Sequence, residues 1–140
     1  SIGLDRMFLA IFSNSLVEEE LDNNTTRTVL KLPAVLAPTK AAILPLVKKD
    51  GLPEVARQIM KDLSWDFNVF YDEKDAVGKR YRRQDAAGTP FCITVDHETL
   101  ENNTVTIRHR DTMKQERVQI SELKEMIAQA VDAKTWLMKM

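Results

Sequence analysis

From residue 40 onward, short apolar segments alternate with segments of helical periodicity, and this order constrains the fold more than any other feature. Short apolar segments bounded by proline, glycine or polar residues are typical of strands. Apolar residues that recur every three or four positions indicate a helix with one buried side. Strands are predicted over residues 40–46, 67–71, 91–95, 104–109 and 115–120, and helices over 53–64, 78–86 and from 121 onward.

The order of these elements predicts the sheet topology. Helical crossovers join the first three strands, which should therefore be parallel, and Pro45 should end the first of them because proline cannot donate to a strand ladder. The segment 91–95 is typical of a central strand buried on both faces. Asp111 and Thr112 supply a turn between the last two strands, and Ser121 is the expected N-cap of the last helix. The predicted fold is an α/β domain with a mixed five-stranded sheet flanked by three helices.

The beginning of the chain has a different pattern. Apolar residues at near-helical spacing predict a helix over residues 4–17. Residues 22–31 begin with a polar, aperiodic stretch and are interpreted as a linker. The domain boundaries predicted from this change are 1–21, a linker over 22–31, and a main domain over 32–140. Because the first residue is Ser1, we expect the chain to be part of a longer protein.

Composition limits the classes of function. Twenty basic and 21 acidic residues give a net charge of −1, which argues against a uniformly cationic surface but permits a local basic one. The single cysteine, Cys92, cannot form an intramolecular disulfide, so a reducing compartment is expected. No segment has the roughly 20 consecutive apolar residues of a membrane span, and the N-terminus lacks the pattern of a signal peptide. We therefore predict a cytoplasmic protein that does not bind membranes.

The strongest chemical feature is a basic cluster, Lys79–Arg83, with four cations in five residues. It could form a phosphate-binding surface, since cations that neutralise phosphates release counterions. By itself, such a cluster is more often a solvated face of a helix, here the predicted helix 78–86, as most charged segments are.

A second basic group lies at the end of the fourth strand, where Arg108 and Arg110 point to the same face because side chains alternate along a strand. Two guanidinium groups on one face can contact base edges or phosphates. Alternatively, they form ion pairs with Glu116 or Asp111.

No catalytic constellation is apparent from the residues alone. His97 and His109 have no neighbours at metal-ligand spacing, so no metal site is predicted, and His109 should lie on the opposite face from the two arginines. Cys92 is interpreted as a small buried apolar residue. The chain has neither a glycine-rich phosphate loop nor a nucleophile elbow.

Residues 77–96 and 105–115 closely resemble glycyl-tRNA synthetases of the homodimeric type. The segment 110–115, Arg-Asp-Thr-Met-Lys-Gln, points to glycine rather than to the histidine, threonine or proline relatives. The resemblance covers residues 32–140 and implies the fold and role of the C-terminal anticodon-binding domain. Its expected partner is a glycine tRNA, and no DNA partner is expected.

Residues 1–6 resemble motif 3 of class II synthetases, in which Arg6 would contact ATP. Residues 1–21 would then be the end of a catalytic domain whose motifs 1 and 2 are missing, so this chain alone is not expected to be catalytic. The resemblance implies that the full-length enzyme is a homodimer that ligates glycine to its tRNA with ATP and Mg²⁺.

Position within related domains implies an anticodon-binding site on this chain. A carboxylate belongs in it because it can accept a hydrogen bond from a cytosine amino group, and glycine anticodons share two cytosines. Arg82, Glu98 and Arg108 are the expected base contacts, and Lys79, Arg80 and Arg110 the expected phosphate or loop contacts.

Two alternatives keep the fold and change the role. One is a non-catalytic accessory module that binds nucleic acid or dimerises, as in a mitochondrial DNA polymerase, although the motif-3 arginine Arg6 argues against it. The other is a protein-interaction domain in which both basic groups are solvated.

Overall fold

The computed structural model describes residues 15–21 and 24–132. None of the helices in these ranges is both long and apolar enough to traverse a bilayer. The strands are β1 Leu16–Glu20, β2 Thr26–Leu30, β3 Ala41–Pro45, β4 Val69–Tyr71, β5 Phe91–Val95, β6 Thr104–His109 and β7 Gln115–Gln119, and the helices are α1 Leu52–Leu63, α2 Val77–Ala87, α3 His97–Asn102 and α4 Leu123–Ala130.

The main sheet has the strand order β4-β3-β5-β6-β7. Strand β3 is parallel to β4 and β5, whereas β6 is antiparallel to β5 and β7. This arrangement confirms the predicted mixed five-stranded sheet. Pro45 is the last residue of β3, as predicted, and the following amide, Leu46 N–H, donates to Val95 O at 2.8 Å.

Helix α1 forms where the periodicity predicts it. Gly51 precedes it in a left-handed conformation with φ 79°, which glycine adopts without a Cβ penalty, and Pro53 lies in its first turn. The buried side of α1 consists of Leu52, Pro53, Ala56, Ile59 and Leu63. This side packs against the main sheet and contributes to the principal hydrophobic core.

The two faces of the main sheet differ in polarity. The face under α1 and α4 is apolar, with Ile43, Ile93, Val95, Val105 and Ile107 all buried. The face under α2 has a much smaller apolar cluster, made of Ala42, Leu44 and Cys92 with partly buried Val77 and Tyr81 from the helix. The remaining side chains between α2 and the sheet are polar, so the buried charged residues of α2 and β6 lie on this face.

The prediction for the N-terminal region is wrong in two places. Residues 16 and 17, assigned to a helix over 4–17, lie in β1, and the linker predicted over 22–31 contains β2. Residues 4–14 of that helix, which include Arg6, and residues 22–23 lie outside the described part of the chain. β1 and β2 pair as an antiparallel hairpin, and inward-facing Val29 is fully buried. The three consecutive glutamates of β1 conceal its two-residue alternation, because only Glu19 faces inward.

Two further details differ from the prediction. The segment 96–103 contains the short helix α3, capped reciprocally by Asp96 and Thr99, which adds a fourth helix to the predicted three. Ser121 is not the N-cap of the last helix. It lies in a 3₁₀ turn, Ile120–Glu122, and α4 begins after it with Glu122 at the N-cap position and no side-chain capping hydrogen bond.

Candidate functional site

Helix α2 faces the sheet with a polar side. Arg80, Gln84 and Asp85 are buried there, and the Gln84 side chain accepts a hydrogen bond from Thr89 Oγ1 at 2.7 Å. Lys79 and Arg82 are exposed on the same helix. The basic cluster predicted from the sequence is therefore divided between buried and solvated side chains.

Asp85 is the electrostatic centre of this face. Its carboxylate is fully buried and accepts four hydrogen bonds from three arginines. Arg108 of β6 donates to both oxygens, at 2.8 and 3.1 Å. Arg27 of β2 donates at 3.1 Å, and Arg82, one turn earlier in α2, donates at 3.4 Å. A buried carboxylate is stable in such a site only because cations and hydrogen bonds compensate its lost hydration.

Arg108 is held from a second side by an aromatic ring. Its guanidinium carbon lies 4.7 Å from the centroid of Tyr81, within the range of a cation–π contact. The Tyr81 hydroxyl lies 2.8 Å from Thr94 Oγ1, and burial raises the pKa of Tyr81. Burial likewise raises the pKa of the neighbouring Cys92 thiol to about 12, consistent with its interpretation as a buried apolar residue. Arg108 is thus fixed beneath the surface, with 3% exposure.

Arg27 connects Asp85 to the β1–β2 hairpin. Its Nε and Nη2 donate to Glu19 Oε2 at 2.9 and 2.6 Å, and its Nη1 also donates to Arg110 O at 2.8 Å. Burial alone would lower the pKa of Arg27, but hydrogen bonds to Glu19 and Asp85 raise it. Hydrogen bonds from Lys31 and then Arg27 lower the pKa of Glu19. The Glu19 carboxylate is therefore held in the charged form that Arg27 requires.

On the flank of α2 that faces β4, both arginines are bound within the protein. Arg80 is 1% exposed and donates to Pro45 O at 2.6 Å and Asp72 O at 3.1 Å, so it binds carbonyl groups at the ends of β3 and β4. Arg83 pairs with Asp72 at 2.7 Å and with Asp75 at 2.8 Å. Burial works most strongly to raise the pKa of Asp72, but hydrogen bonds from Arg83 and the Lys74 amide lower it. This flank presents little free positive charge.

Arg110 lies at the opposite end of β6 from α3. It is 3% exposed and donates to Gly88 O at 2.7 Å, to Leu32 O at 2.5 Å and to Asp111 Oδ1 at 2.9 Å. The sequence offered Asp111 or Glu116 as ion-pair partners for Arg108 and Arg110. Asp111 does pair with Arg110, whereas Glu116 lies 3.6 Å from His109 instead. His109 stacks edge-on against Phe91, on the face opposite to Arg108, as predicted.

Beyond α2, the same face of the sheet is open. Thr106 is half-buried, and its cross-strand partner Arg117 is exposed. In the described ranges no helix covers the outer part of this face, which we call the open face and define as Thr106, Gln115, Arg117 and Gln119. Arg82 lies on the neighbouring flank of α2 and contacts Asp85. Asp85 in turn binds Arg108 of β6, so Arg82 lies next to the open face.

Glu98 lies at the end of the open face, on α3. Its side chain is half exposed and pairs with Arg117 Nε at 3.1 Å. Arg117 also pairs with Asp96 and donates to Thr104 Oγ1 at 2.9 Å. Burial works most strongly to raise the pKa of Asp96, but the hydrogen bond from Arg117 and those from Thr99 lower it. Glu98 therefore keeps part of its acceptor capacity toward solvent, whereas the Arg117 guanidinium is largely occupied.

The structure brings some of the predicted residues together and separates others. Arg82 and Arg108 meet at one carboxylate, with Lys79 exposed on the same helix. Arg80 and Arg110 lie at different ends of this face.

The sequence did not identify Asp85 and Arg27 as central, and only the spacing of Asp85 three residues after Arg82 could have suggested a pair. Within the described ranges, no group of three His, Cys, Asp or Glu side chains is arranged to hold a metal ion.

Comparisons with known proteins agree with this geometry. A family model described as "Anticodon binding domain" matches residues 40–130. A glycine–tRNA ligase from Borrelia hermsii is 54% identical over 88% of this chain and 28% of its own length. A glycine–tRNA ligase from Rhodopirellula baltica is 52% identical over 96% of this chain and 26% of its own length. The chain thus spans about a quarter of the length of these relatives.

A solved structure shares the fold. The RNA binding domain of a threonyl-tRNA synthetase from Cryptosporidium parvum superposes with a TM-score of 0.65 at 23% sequence identity. The match covers 71% of this chain and 25% of that one.

Proposed function

Because this chain belongs to the family of anticodon-binding domains, we propose that the open face and the adjoining flank of α2 hold the anticodon loop of a tRNA. Its relatives at 52–54% identity are glycine–tRNA ligases, so the proposed ligand is a glycine tRNA. One observation carries the proposal: a solvated, polar sheet surface lies beside the exposed Arg82, which is anchored over a buried ion-pair network. Proteins that read RNA sequence target unpaired bases, which need such an uncovered polar surface.

The predicted site residues divide into two roles in this proposal. Arg82 and Lys79 are exposed and contact phosphates or base edges directly. Glu98 is half exposed and accepts a hydrogen bond from a cytosine amino group. Arg108, Arg80 and Arg110 are buried, and they act from below by fixing the positions of α2 and β6. Three of the six residues predicted to contact RNA are therefore proposed to support the binding surface without touching the RNA.

The whole protein is proposed to be a glycine–tRNA ligase that works as a cytoplasmic homodimer. It would join glycine to its tRNA with ATP and Mg²⁺, and Arg6 would take part in ATP binding. The similarity to glycine–tRNA ligases over about a quarter of their length supports this proposal.

A binding experiment tests the site. The chain is titrated against a fluorescent glycine anticodon stem-loop and against the same stem-loop with altered anticodon bases, at several salt concentrations. Wild type should prefer the glycine sequence, and added salt should weaken binding. Arg82→Ala should weaken binding about tenfold, the size of one charged hydrogen bond, and reduce the salt slope by about 0.7.

Arg57→Ala is the matched control. Arg57 lies on α1, its side chain is 51% exposed against 44% for Arg82, and it likewise has a single carboxylate partner, Glu73. The substitution removes the same charge from a part of the surface outside the proposed site and should leave affinity almost unchanged. Equal effects of the two substitutions would remove Arg82 from the site. Equal binding of both stem-loops by wild type would exclude anticodon recognition and favour the protein-interaction alternative.

A further inference from the structure

The carboxylate of Asp85 is shared unequally between its arginines. Its Oδ1 accepts from Arg108, at 2.8 Å. Its Oδ2 accepts from Arg27 and Arg108, each at 3.1 Å, and from Arg82 at 3.4 Å. Arg82 makes the longest of these contacts and has the only largely exposed side chain of the three. Arg27 and Arg82 therefore compete for one oxygen, and Arg82 holds the weaker position.

Glu19 influences this competition because it holds Arg27 from the other side. Two nitrogens of Arg27 donate to Glu19 Oε2, at 2.9 and 2.6 Å, so the buried guanidinium is divided between a carboxylate on β1 and a carboxylate on α2. Within the described ranges, weakening the Glu19 contact leaves Arg27 with one carboxylate partner, Asp85. Since a buried cation needs a compensating anion, Arg27 then draws more strongly on Asp85 Oδ2.

We infer that Glu19 is a positioning residue for the RNA surface: by holding Arg27, it sets how tightly Asp85 retains Arg82. This inference rests on the proposed function and adds the β1–β2 hairpin to it. With Glu19 in place, Asp85 keeps part of its charge for Arg82, and RNA must compete for that arginine. When Glu19 releases Arg27, Asp85 releases Arg82 toward solvent, where a phosphate can bind it. Any contact that displaces Glu19 from Arg27 therefore strengthens RNA binding on the far side of α2.

The strand β1 itself offers a matched control. Glu18 precedes Glu19, is exposed, and lies on the outward side of the hairpin. Glu18→Gln and Glu19→Gln remove the same charge from neighbouring positions, so their long-range effects on an anionic ligand are nearly equal. A difference between the two variants in RNA binding then reports the contacts of Glu19 with Arg27 and Lys31. Only the effect of Arg27 passes through Asp85 to Arg82.

The test compares dissociation constants for the glycine anticodon stem-loop at one salt concentration. Glu19→Gln should bind about threefold more tightly than Glu18→Gln, which is the contribution of one partly exposed ion pair. The ratio should return to one when each substitution is combined with Arg82→Ala. Glu19→Asp, which keeps the charge but shortens the side chain, should bind more tightly than wild type and provides a second variant if Glu19→Gln folds poorly. A ratio of one or below in the protein that retains Arg82, or no gain with Glu19→Asp, overturns the inference.

A measurement without RNA separates this inference from the proposed function. In the free protein, arginine Nε–H resonances of Arg82 and Arg108 should shift with Glu19→Gln and stay in place with Glu18→Gln. Shifted resonances in a protein that does not distinguish anticodon stem-loops would leave the coupling intact and reject the proposed function. Unchanged resonances in a protein that does distinguish them would reject the coupling alone.

Discussion

Replacing Asp85 by asparagine tests whether the buried network holds α2, β2 and β6 together. Asparagine has nearly the same shape, but it removes the charge and turns one acceptor oxygen into an NH₂ donor that faces arginine donors. Four hydrogen bonds converge on the Asp85 carboxylate, and both Arg27 and Arg108 are buried. Removing one partner of a buried ion pair costs about 3–5 kcal/mol, because the remaining charge is left uncompensated. That is a large part of the roughly 5–15 kcal/mol by which most domains are stable.

The assay is urea unfolding followed by far-ultraviolet circular dichroism at pH 7. With a denaturant slope of about 2 kcal/mol/M, a loss of about 4 kcal/mol lowers the unfolding midpoint by about 2 M urea. Asp75→Asn is the control, since it removes an equivalent carboxylate that pairs with Arg83 at 2.8 Å on the exposed surface and should change the midpoint little. If Asp85→Asn lowers the midpoint no more than Asp75→Asn, the network does not stabilise the fold and the reasoning is refuted.

Two further predictions concern the same face. Gly88 ends α2 with φ 84°, and a Cβ there would lie 3.0 Å from Leu30 Cδ2, so Gly88→Ala should cost about 1–2 kcal/mol in unfolding free energy. Gly78→Ala has open space in the first turn of α2 and should be neutral or stabilising; equal losses in thermal unfolding would contradict this account. Because Arg83 helps to lower the pKa of Asp72 below its ordinary value of 3.8, this pair contributes stability above about pH 3.8 that is lost as pH falls through the lowered pKa. Arg83→Gln should therefore lower the urea midpoint at pH 7 and converge on wild type in acid, and an unchanged difference at pH 3 would argue against it.

The main sheet could be predicted because its signals are local. The five strands follow from short apolar segments, and helix α1 follows from apolar periodicity and from Pro53 in its first turn. The end of the polar helix α2 follows from Gly88. The β1–β2 hairpin could not be predicted in this way, because the glutamates of β1 conceal its alternation and its inward-facing residues include two charges, Glu19 and Arg27. A charged residue on a buried face reverses the usual relation between polarity and exposure.

The sequence by itself also located both basic groups of the candidate site, since clustering of charge is visible without a structure. Only the tertiary structure decided which of those cations reach solvent. Arg82 stays exposed while Arg108 is buried, and the Asp85 carboxylate lies between these two arginines in the folded chain. Asp85 is 23 positions away from Arg108 and 58 from Arg27 in the sequence. The free energy of a buried charge depends on compensating charges that long-range folding brings within about 3 Å, and sequence spacing does not report such distances.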